Sequence, residues 1–387
     1  MMVLVINCGS SSAKYQLFNV GKRKVLARGN VERIGSGGAN IRHQTDHRVV
    51  RRKVNCPDHY FAINIIVDML TDKRSGVIKS RAEILGIGHR VVHGGEEFKE
   101  SVVITPEVKR SIEKYSELAP LHNPPALLGI KACSMILKDI PQVAVFDTSF
   151  HQTMPERAFL YGLPYRFYKK YGIRRYGFHG TSHRFVAEQA VKVLRRPAKG
   201  LKIVTCHLGN GCSMAAVKGG ISVDTTMGFT PLEGLLMGTR SGDMDPAVVF
   251  YLMDKELLSP EHISNILNKE SGLIGISGVS NDMRDLLKAM KGRGQAAERS
   301  RVAIEMFIYR IEKYIGAYQA AMGGLDAVVF TAGIGENNPW LVRRIRKDLK
   351  NVVSKKAQFL VIPTNEELLI ARDTYALIKK KGSRYNA

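Results

Sequence analysis

Three segments of the chain share one pattern, a short run of apolar residues followed by a turn of small polar residues. The apolar runs are Val3–Ile6, Ile203–Cys206 and Ala327–Phe330, and the turns that follow them are 7–12, 207–211 and 331–337. After the first two turns, residues of high β-propensity resume at 14–18 and 213–217, which is typical of a β-hairpin. The two predicted hairpins lie about 200 residues apart, which indicates two related halves. After the third turn, Pro339 opens a basic helical stretch, so strand, loop and helix are predicted there.

Helix signals occupy much of the remaining chain. Five predicted helices are marked by N-cap residues, by proline in the first turn or by helical spacing of apolar positions. They are a helix opened by Thr105-Pro106, a helix from Asn123 to about Leu137, a helix 183–194 capped by Thr181 or Ser182, a long helix 295–321, and a final helix opened by 364–367 that runs to about Lys380. Strands interleaved with helices predict the α/β class.

Composition adds one unusual feature, a large excess of positive charge. The 387 residues contain 58 Lys and Arg against 35 Asp and Glu, a formal net charge of +23. Hydrophobic residues make up 44% of the chain, so a sizeable core is available and the disordered and fibrous classes are excluded. The charge keeps a nucleic-acid-binding protein open as an alternative.

The ends and the cysteines point to the cytoplasm. The first apolar run is short and has no basic segment before it, which argues against a secretory signal. No stretch approaches roughly 18 uncharged apolar residues, so no membrane span is predicted. Five cysteines without a CxxC pair are expected to be reduced thiols.

Four glycine-rich or strand-end segments concentrate polar residues, and they are 88–95 with Arg90, 146–148 with Asp147, 177–183 with His179, and 238–243 with Arg240. Taken singly, each has a structural interpretation as a turn cap, a hydrogen-bonded histidine or a surface ion-pair partner. Taken together they suit phosphoryl transfer, which needs cationic stabilisation, a metal and positioning. The arginines can recognise anions in a bidentate manner, and carboxylate and amide oxygens suit Mg²⁺. No Walker A sequence is present, so backbone amides of the small-residue turns are expected to bind phosphate.

In this order the segments closely resemble the acetate kinase (acetokinase) family of the acetate and sugar kinase/Hsc70/actin superfamily. The matching segments are 5–12, 88–95, 118–124, 146–148, 176–183, 207–211, 227–234, 238–243, 280–285, 333–337 and 363–367. The resemblance implies a two-domain actin-like ATPase (ribonuclease H-like) fold with a duplicated βββαβαβα-type core and the active site in the interdomain cleft. The expected domains are 1–150, completed by the C-terminal helix 370–387, and 151–369, which binds the nucleotide. Cys8 and Cys212 stand where the family usually has Ala, and the region 20–80 is somewhat shorter and more basic than usual.

The resemblance also implies a role for each matching residue. Asp147 is the expected catalytic carboxylate, and His179 and Arg240 are the expected stabilisers of the transferring phosphoryl group. The expected acetate site consists of Arg90 on the carboxylate, His122 nearby, and an apolar wall of Val92, Leu121, Phe178 and Pro231. The expected ATP-binding residues are Ser10, Ser12, Lys14, His207, Leu208, Gly209, Asn210, Gly211, Asp282, Met283, Arg284, Gly333, Ile334, Gly335, Glu336 and Asn337. The expected Mg²⁺-linked residues, with Mn²⁺ as a substitute ion, are Asn7 and Glu366.

The implied function is reversible transfer of the ATP γ-phosphoryl group to acetate, giving acetyl phosphate and ADP, by a cytoplasmic homodimer without nucleic-acid or membrane partners. Asp147 is expected to position metal or substrate, because acetate is already ionised near neutral pH. One alternative is a propionate or butyrate kinase, although a branched Val92 leaves less depth than Ala and favours acetate. The others are a pyrophosphate-dependent relative and a nucleic-acid-binding or chaperone-like ATPase, the latter motivated by basic clusters in 42–53 and 343–350.

Overall fold

The computed structural model describes residues 1–385, which divide into two compact units, each with its own β-sheet. The first unit contains Met1–Ser149 and the segment from Asn365 onward, and the second contains Phe150–Thr364. The predicted terminal helix 370–387 includes residues 386 and 387, which lie outside the described part of the chain. Within residues 1–385, no helix has both the length and the apolar character needed to cross a membrane.

An eight-stranded sheet forms the centre of the first unit, in the order β5-β4-β3-β2-β1-β6-β8-β7. Its strands are β1 (Met2–Gly9), β2 (Ser12–Asn19), β3 (Lys24–Glu32), β4 (Ala39–Thr45), β5 (Val49–Val54), β6 (Ile84–Val91), β7 (Val102–Val103) and β8 (Gln142–Phe146). Its helices, numbered in chain order, are α1 (His59–Thr71), α2 (Pro106–Lys114), α3 (Asn123–Ile136) and α14 (Glu366–Tyr385).

Strand β1 is buried on both faces, which explains why its sequence is a continuous apolar run. Leu4 and Ile6 belong to the core that includes residues of α1 and α3, whereas Val3 and Val5 pack with residues of α14. Full burial of each such side chain contributes roughly 1.5–3 kcal/mol. The strand is therefore fixed from both sides, and so is the position of the turn that follows it.

The second unit contains a five-stranded sheet in the order β11-β10-β9-β12-β13. Its strands are β9 (Lys202–Leu208), β10 (Cys212–Lys218), β11 (Ile221–Thr225), β12 (Ala327–Thr331) and β13 (Gln358–Val361). Its helices are α4 (Glu156–Phe159), α5 (Tyr165–Tyr171), α6 (Gly180–Leu194), α7 (Ala247–Lys255), α8 (Pro260–Asn265), α9 (Gly272–Ser277), α10 (Met283–Ala289), α11 (Gln295–Met322), α12 (Ala332–Asn337) and α13 (Pro339–Asp348).

The two sheets share one core topology. In each unit three consecutive strands pair antiparallel, as β1-β2-β3 and as β9-β10-β11. The first strand of each set then pairs in parallel with a later strand, β6 or β12, which in turn pairs in parallel with β8 or β13. The predicted α/β class and duplicated core are therefore confirmed.

Several predicted element boundaries are wrong. Both hairpins are present, but residues 7–9 belong to β1 and residues 207–208 belong to β9, because polar residues extend the ladder of backbone hydrogen bonds beyond the apolar run. The predicted third loop contains a short helix, α12. Helix α6 begins at Gly180 and not at His183, so Thr181 and Ser182 lie within it and are not its cap. The capping position belongs to His179, whose φ of +55° ends the preceding extended segment.

Candidate active site

In the first unit, an arginine and two carboxylates meet at the carboxyl ends of parallel strands. Arg90 lies near the end of β6, Asp147 follows β8 directly, and Glu366 is the first residue of α14. Asp147 accepts hydrogen bonds from Arg90 Nε at 3.1 Å and from Arg90 Nη2 at 2.6 Å. Glu366 Oε2 lies 3.7 Å from Arg90 Nε. The carboxylates therefore hold the guanidinium in one orientation, and Nη1 makes no hydrogen bond within residues 1–385.

The pKa values of Arg90 and Glu366 are both raised, but by different causes. The charge of Asp147 raises the pKa of Arg90 further above its already high value, with smaller contributions from Glu366 and Glu367. Burial raises the pKa of Glu366, and Arg90 only partly offsets that effect. With both carboxylates ionised, the cluster carries one net negative charge, so bound anions need a cation or a proton beside it.

The residues expected around the acetate methyl group are distributed over both units. Val92 is buried after β6, whereas Leu121 is 70% exposed and His122 is exposed at the start of α3. Phe178 is buried in the second unit, where its carbonyl accepts a hydrogen bond from His151 Nε2 at 3.1 Å. The carbonyl of Pro231 accepts a hydrogen bond from Arg240.

Asn123 is a buried residue of the first unit that had been considered only as a helix start. Its side-chain oxygen accepts a hydrogen bond from the backbone N–H of His93 at 3.0 Å, and its amide donates to the carbonyl of His93 at 2.9 Å. These bonds fix the turn that follows Val92. The only sequence signal was the position of Asn123 between His122 and two prolines. A side-chain amide that is buried there needs several backbone partners.

The first hairpin brings the predicted phosphate-side and metal-linked residues together. Asn7 pairs directly with Lys14 across β1 and β2, so the two side chains share one face of the sheet. Both line a cavity of about 180 Å³ that also includes Glu367, the neighbour of Glu366. Ser10 is exposed in the turn, Ser12 is half-buried, and His59 Nε2 hydrogen-bonds the carbonyl of Gly9 at 2.8 Å, which anchors the turn.

In the second unit, His179 is held by a chain of hydrogen bonds. His179 Nδ1 lies 2.9 Å from Ser213 Oγ, and the same oxygen lies 2.7 Å from His183 Nε2. His183 Nδ1 lies 2.7 Å from Thr205 Oγ1. Burial lowers the pKa of His183 well below its usual value, so this ring is neutral.

Neutral His183 has one donor and one acceptor nitrogen, and the hydroxyl group of Thr205, which donates to the carbonyl of Ala215 at 3.5 Å, accepts from the donor nitrogen. With its Nδ1–H donated to Thr205, its Nε2 accepts the hydroxyl proton of Ser213. The oxygen of Ser213 then accepts the Nδ1–H of His179. This assignment leaves Nε2 as the nitrogen of His179 that Ser213 does not hold. The ring also stacks on His207, with centroids 4.2 Å apart.

Arg240 and His179 both lie close to Gly211 in the second hairpin turn. A Cβ atom added to Gly211 would lie 3.5 Å from Arg240 Nη1 and 3.5 Å from His179 Cε1, so both side chains flank this glycine. Arg240 Nη1 donates to the carbonyl of Pro231 at 3.2 Å. Within residues 1–385 no carboxylate pairs with Arg240, and burial lowers its pKa. A partly buried guanidinium without a counter-charge is a strong site for an anion.

A cavity of about 690 Å³ in the second unit collects most of the expected ATP-binding segments. Its lining includes eight predicted residues, which are Gly209, Asn210, Asp282, Met283, Arg284, Gly333, Ile334 and Asn337. Asn281 and Asn338 also line it and were not singled out from the sequence, although each adjoins a predicted segment. Asn281 donates a hydrogen bond to the side chain of Asn210 at 3.0 Å, which ties two walls of the cavity together.

Eight residues predicted to contact ATP are not part of the cavity lining, namely Ser10, Ser12 and Lys14 of the first unit and His207, Leu208, Gly211, Gly335 and Glu336 of the second. Glu336 has a role within the loop instead. Its Oε1 accepts hydrogen bonds from Ala332 N at 2.8 Å and from Thr364 N at 3.2 Å. The carboxylate therefore stabilises the left-handed backbone at Ala332, where φ is +62°. Leu208 is fully buried in β9.

The residues available for Mg²⁺ fit an ion that arrives with a nucleotide. Among the described residues, no group of three or more His, Cys, Asp or Glu side chains could hold a metal by itself. Asn7 and Glu366 offer amide and carboxylate oxygens, which are the donors that Mg²⁺ prefers. Mg²⁺ is usually bound by one or two protein oxygens together with water and substrate phosphates, so this sparse donor set is compatible with it.

Two α/β units of one topology, a cavity lined in part by glycines and a half-buried arginine without a carboxylate partner among the described residues fit a nucleotide-dependent phosphotransferase. Comparison with known proteins narrows the class, since residues 2–354 match the model of the acetokinase family. The chain therefore belongs to the acetokinase family, and the predicted family resemblance is confirmed.

The relatives cover the chain almost completely. The acetate kinase of Halothermothrix orenii is 52% identical over 400 aligned positions, which cover 98% of this chain and 100% of that protein. The crystal structure of Porphyromonas gingivalis acetate kinase has a TM-score of 0.93 at 45% identity and covers 97% of this chain and 99% of that one. A propionate kinase from Francisella tularensis has a TM-score of 0.89 at 41% identity, with the same coverage of 97% and 99%.

Proposed function

We propose that this chain catalyses the reversible, Mg²⁺-dependent transfer of the γ-phosphoryl group of ATP to acetate, giving acetyl phosphate and ADP. The observation that carries this proposal is the full-length similarity to acetate kinases, at 52% identity for the relative from Halothermothrix orenii. The unpaired Arg240 beside His179 supports it, because transferring phosphoryl groups need fixed positive charge and hydrogen-bond donors.

Arg90 is the proposed ligand of the acetate carboxylate. Asp147 occupies Nε and Nη2 of its guanidinium, so Nη1 is the nitrogen that faces the substrate. In this arrangement Asp147 positions Arg90 and does not act as a base, since acetate has no proton to lose near neutral pH. Orientation of one carboxylate oxygen toward the phosphorus lowers the entropic part of the barrier.

In the proposed step one acetate oxygen forms a bond to the γ-phosphorus, the bond from that phosphorus to the β–γ bridging oxygen breaks, and ADP leaves with the electron pair. Charge spreads over the three equatorial oxygens during transfer. Arg240 and His179 bind these oxygens. Mg²⁺, with Asn7 and Glu366 as its protein ligands, supplies positive charge on the phosphates when bound.

A hydroxamate assay tests the proposal directly, because acetyl phosphate reacts with hydroxylamine to give acetohydroxamate and phosphate, and the hydroxamate forms a coloured complex with added ferric ion. We expect product with ATP and acetate, and none with pyrophosphate in place of ATP, because the second unit has a nucleotide-sized cavity. Removal of divalent metal by a chelator is expected to abolish the signal, and added Mg²⁺ or Mn²⁺ to restore it. Absence of product under all metal conditions contradicts the proposal.

Propionate is the second candidate acceptor, since the chain is also 41% identical to a propionate kinase of known structure. Val92 is buried beside the proposed carboxylate ligand, and its branched side chain limits the depth available to an acyl chain. One methylene is worth about 1–3 kcal/mol in such a pocket, so acetate is expected to exceed propionate by about tenfold or more in kcat/KM. Val92→Ala is expected to reduce this ratio, and equal kcat/KM values for both acids in the unaltered protein contradict the assignment.

The proposal includes a homodimer in the cytoplasm, by analogy with the family. Size-exclusion chromatography with light scattering measures the oligomeric state, and a monomer at micromolar concentration contradicts this part of the proposal without affecting the reaction.

A further inference from the structure

The loop that carries Arg240 is closed at its base by Asp243. The backbone N–H of Asp243 donates a hydrogen bond to the carbonyl of Gly234 at 2.9 Å, and the N–H of Gly234 donates to Oδ1 of Asp243 at 2.8 Å. These two bonds join the ends of the segment 234–243. The base of the loop is therefore held by a side chain that lies only three positions after Arg240 in the sequence.

The chain between these two ends is tightly packed. Gly242 has a φ of +67°, and a Cβ atom added to it would lie 2.3 Å from the carbonyl oxygen of Leu235, so only glycine fits there. Leu235 and Met237 are fully buried, and the N–H of Met237 donates to the carbonyl of Arg240 at 3.1 Å. Because the loop has no slack, we expect a displacement of Asp243 to move Arg240 as well.

Helix α11 holds the same carboxylate from outside the loop. The hydroxyl group of Tyr314 donates a hydrogen bond to Oδ2 of Asp243 at 2.5 Å. Burial, together with the neighbouring carboxylate, raises the pKa of Tyr314, so the phenol keeps its proton and remains a donor. Hydrogen bonds to an ionised acceptor are stronger than those between neutral groups. The helix is itself fixed, since Ile311 and Ile315 on either side of Tyr314 are fully buried.

Tyr318 offers a natural comparison one turn later on the same helix. Its ring lies 5.6 Å from that of Tyr314, measured between centroids. Its hydroxyl oxygen is buried and makes no hydrogen bond within residues 1–385. The two tyrosines thus share a helix and a buried environment, but only the hydroxyl group of Tyr314 bonds the loop that carries Arg240.

We propose that Asp243 and Tyr314 are positioning residues for phosphoryl transfer and that they act through Arg240. The inference rests on the proposed function, in which Arg240 binds the transferring group. Tyr314 fixes the carboxylate of Asp243 to α11, and that carboxylate fixes the base of the loop. The guanidinium of Arg240 contacts the carbonyl of Pro231 and no carboxylate among the described residues, so its position depends mainly on the loop. A small displacement of a catalytic group is enough to slow a reaction.

Steady-state kinetics of Tyr314→Phe, with Tyr318→Phe as the matched control, test the proposal. Each change removes one hydroxyl group and keeps the ring. We expect Tyr314→Phe to lower kcat by about tenfold or more and to change KM for ATP by less than about threefold. Tyr318→Phe is expected to leave kcat within about twofold, because its hydroxyl group has no hydrogen bond to lose.

The Arg240→Ala protein distinguishes positioning of Arg240 from a general structural defect. If Tyr314 acts through Arg240, Tyr314→Phe is expected to change the residual kcat of Arg240→Ala by less than about twofold, since effects that share one group are not additive. A tenfold loss that persists in this background overturns the proposal, and so do equal kcat values for Tyr314→Phe and Tyr318→Phe. Asp243→Asn, which keeps the shape of the side chain but not its charge, provides the same test if Tyr314→Phe does not fold.

Amide hydrogen exchange of the segment 234–243, measured without substrate, tests the hydrogen bond independently of turnover. We expect faster exchange in Tyr314→Phe than in Tyr318→Phe, because a loop that has lost a tie opens more often. If the unaltered protein forms no acetyl phosphate, the proposed function is contradicted and this inference falls with it. If the product forms but exchange in the segment is equal in the two variants, only the positioning role is contradicted.

Discussion

Arg90 and Arg240 are both arginines of the candidate site, yet their surroundings are opposite. Arg90 contacts Asp147 and lies 3.7 Å from Glu366, so its charge is more than compensated. Arg240 donates to a backbone carbonyl and has no carboxylate partner within the described residues. The neighbouring His183 is held neutral by burial. The first unit thus presents an arginine paired with a carboxylate, and the second presents an arginine without a carboxylate partner among the described residues.

The difference teaches which ligand each unit requires. Arg90 has its counter-charge within the first unit, whereas a half-buried guanidinium without a carboxylate partner, such as Arg240, is stabilised by an anion. The same comparison separates two uses of arginine, since Arg90 is oriented by Asp147, whereas Arg240 keeps an uncompensated charge, which the proposed function assigns to the transferring phosphoryl group.

The largest effect is expected from Arg240→Ala. Its charge has no substitute in the second unit, so kcat is expected to fall by about 10³-fold, in the range found when a cationic or oxyanion-stabilising group is removed. The free energy of unfolding is expected to stay equal or to rise, because a partly buried cation without a partner is removed. Steady-state kinetics and urea denaturation measure the two quantities. A fall in kcat of less than tenfold contradicts the role given to this arginine.

Arg90→Ala is expected to act in the opposite way on stability. Asp147 is only 1% exposed, and without Arg90 it becomes a buried carboxylate that has lost its main partner. The free energy of unfolding is expected to fall by about 1–3 kcal/mol. The kcat/KM for acetate is expected to fall by about 10²-fold, with a smaller change in KM for ATP.

The double variant Arg90→Ala/Asp147→Ala serves as the control for this effect. Removal of the unpaired carboxylate is expected to restore part of the lost stability but none of the activity. If the double variant is less stable than Arg90→Ala by the full effect of Asp147→Ala alone, the two side chains do not interact and the comparison with Arg240 fails.

Much of this contrast could not be read from the sequence. The strand that ends before Asp147 and the strand that contains Ile203 were predictable, because their apolar runs are buried on both faces. The sequence singled out Arg90 and Asp147 as candidate site residues, but their contact joins residues 57 positions apart and depends on the parallel pairing of β6 with β8. The role of Ser213 was not predictable, since a serine on a strand gives no local signal of the two histidines on either side of its hydroxyl group.

Glu336 illustrates the same limit. The glycine-rich segment 333–337 predicted a ligand-binding loop, and most of its residues do line the cavity. Its carboxylate instead bonds Ala332 N and Thr364 N, because a backbone with positive φ after β12 leaves N–H groups that need an acceptor. The spacing of the glycines predicted the loop. Which of its residues line the cavity and which stabilise the backbone depends on the backbone geometry.

Ser213→Ala tests whether the role proposed for His179, which lies near Arg240, depends on the hydroxyl group that holds its ring. Loss of the hydroxyl removes the 2.9 Å hydrogen bond of His179 Nδ1, which weakens the hold on the orientation of the ring. We expect kcat to fall by about 10–10²-fold, as for loss of a positioned catalytic group, with KM for ATP nearly unchanged. Ser222→Ala removes a hydroxyl bonded to His151 in the same unit and is the matched control. Equal losses in both variants indicate a general packing defect and contradict the positioning role.

The smallest effect is expected from Arg284→Ala, which removes an arginine that is neither half-buried like Arg240 nor held by a buried carboxylate like Arg90. Arg284 is 86% exposed and pairs with Asp282, two residues away, at 2.6 Å. An exposed pair of this kind contributes about 0–1 kcal/mol, so stability is expected to be unchanged within error. The side chain lines the nucleotide-sized cavity, and KM for ATP is expected to rise by less than about tenfold, as for loss of one exposed polar contact, while kcat stays constant. A large fall in kcat here, comparable with that of Arg240→Ala, would show that exposure and charge compensation do not rank the arginines of this site.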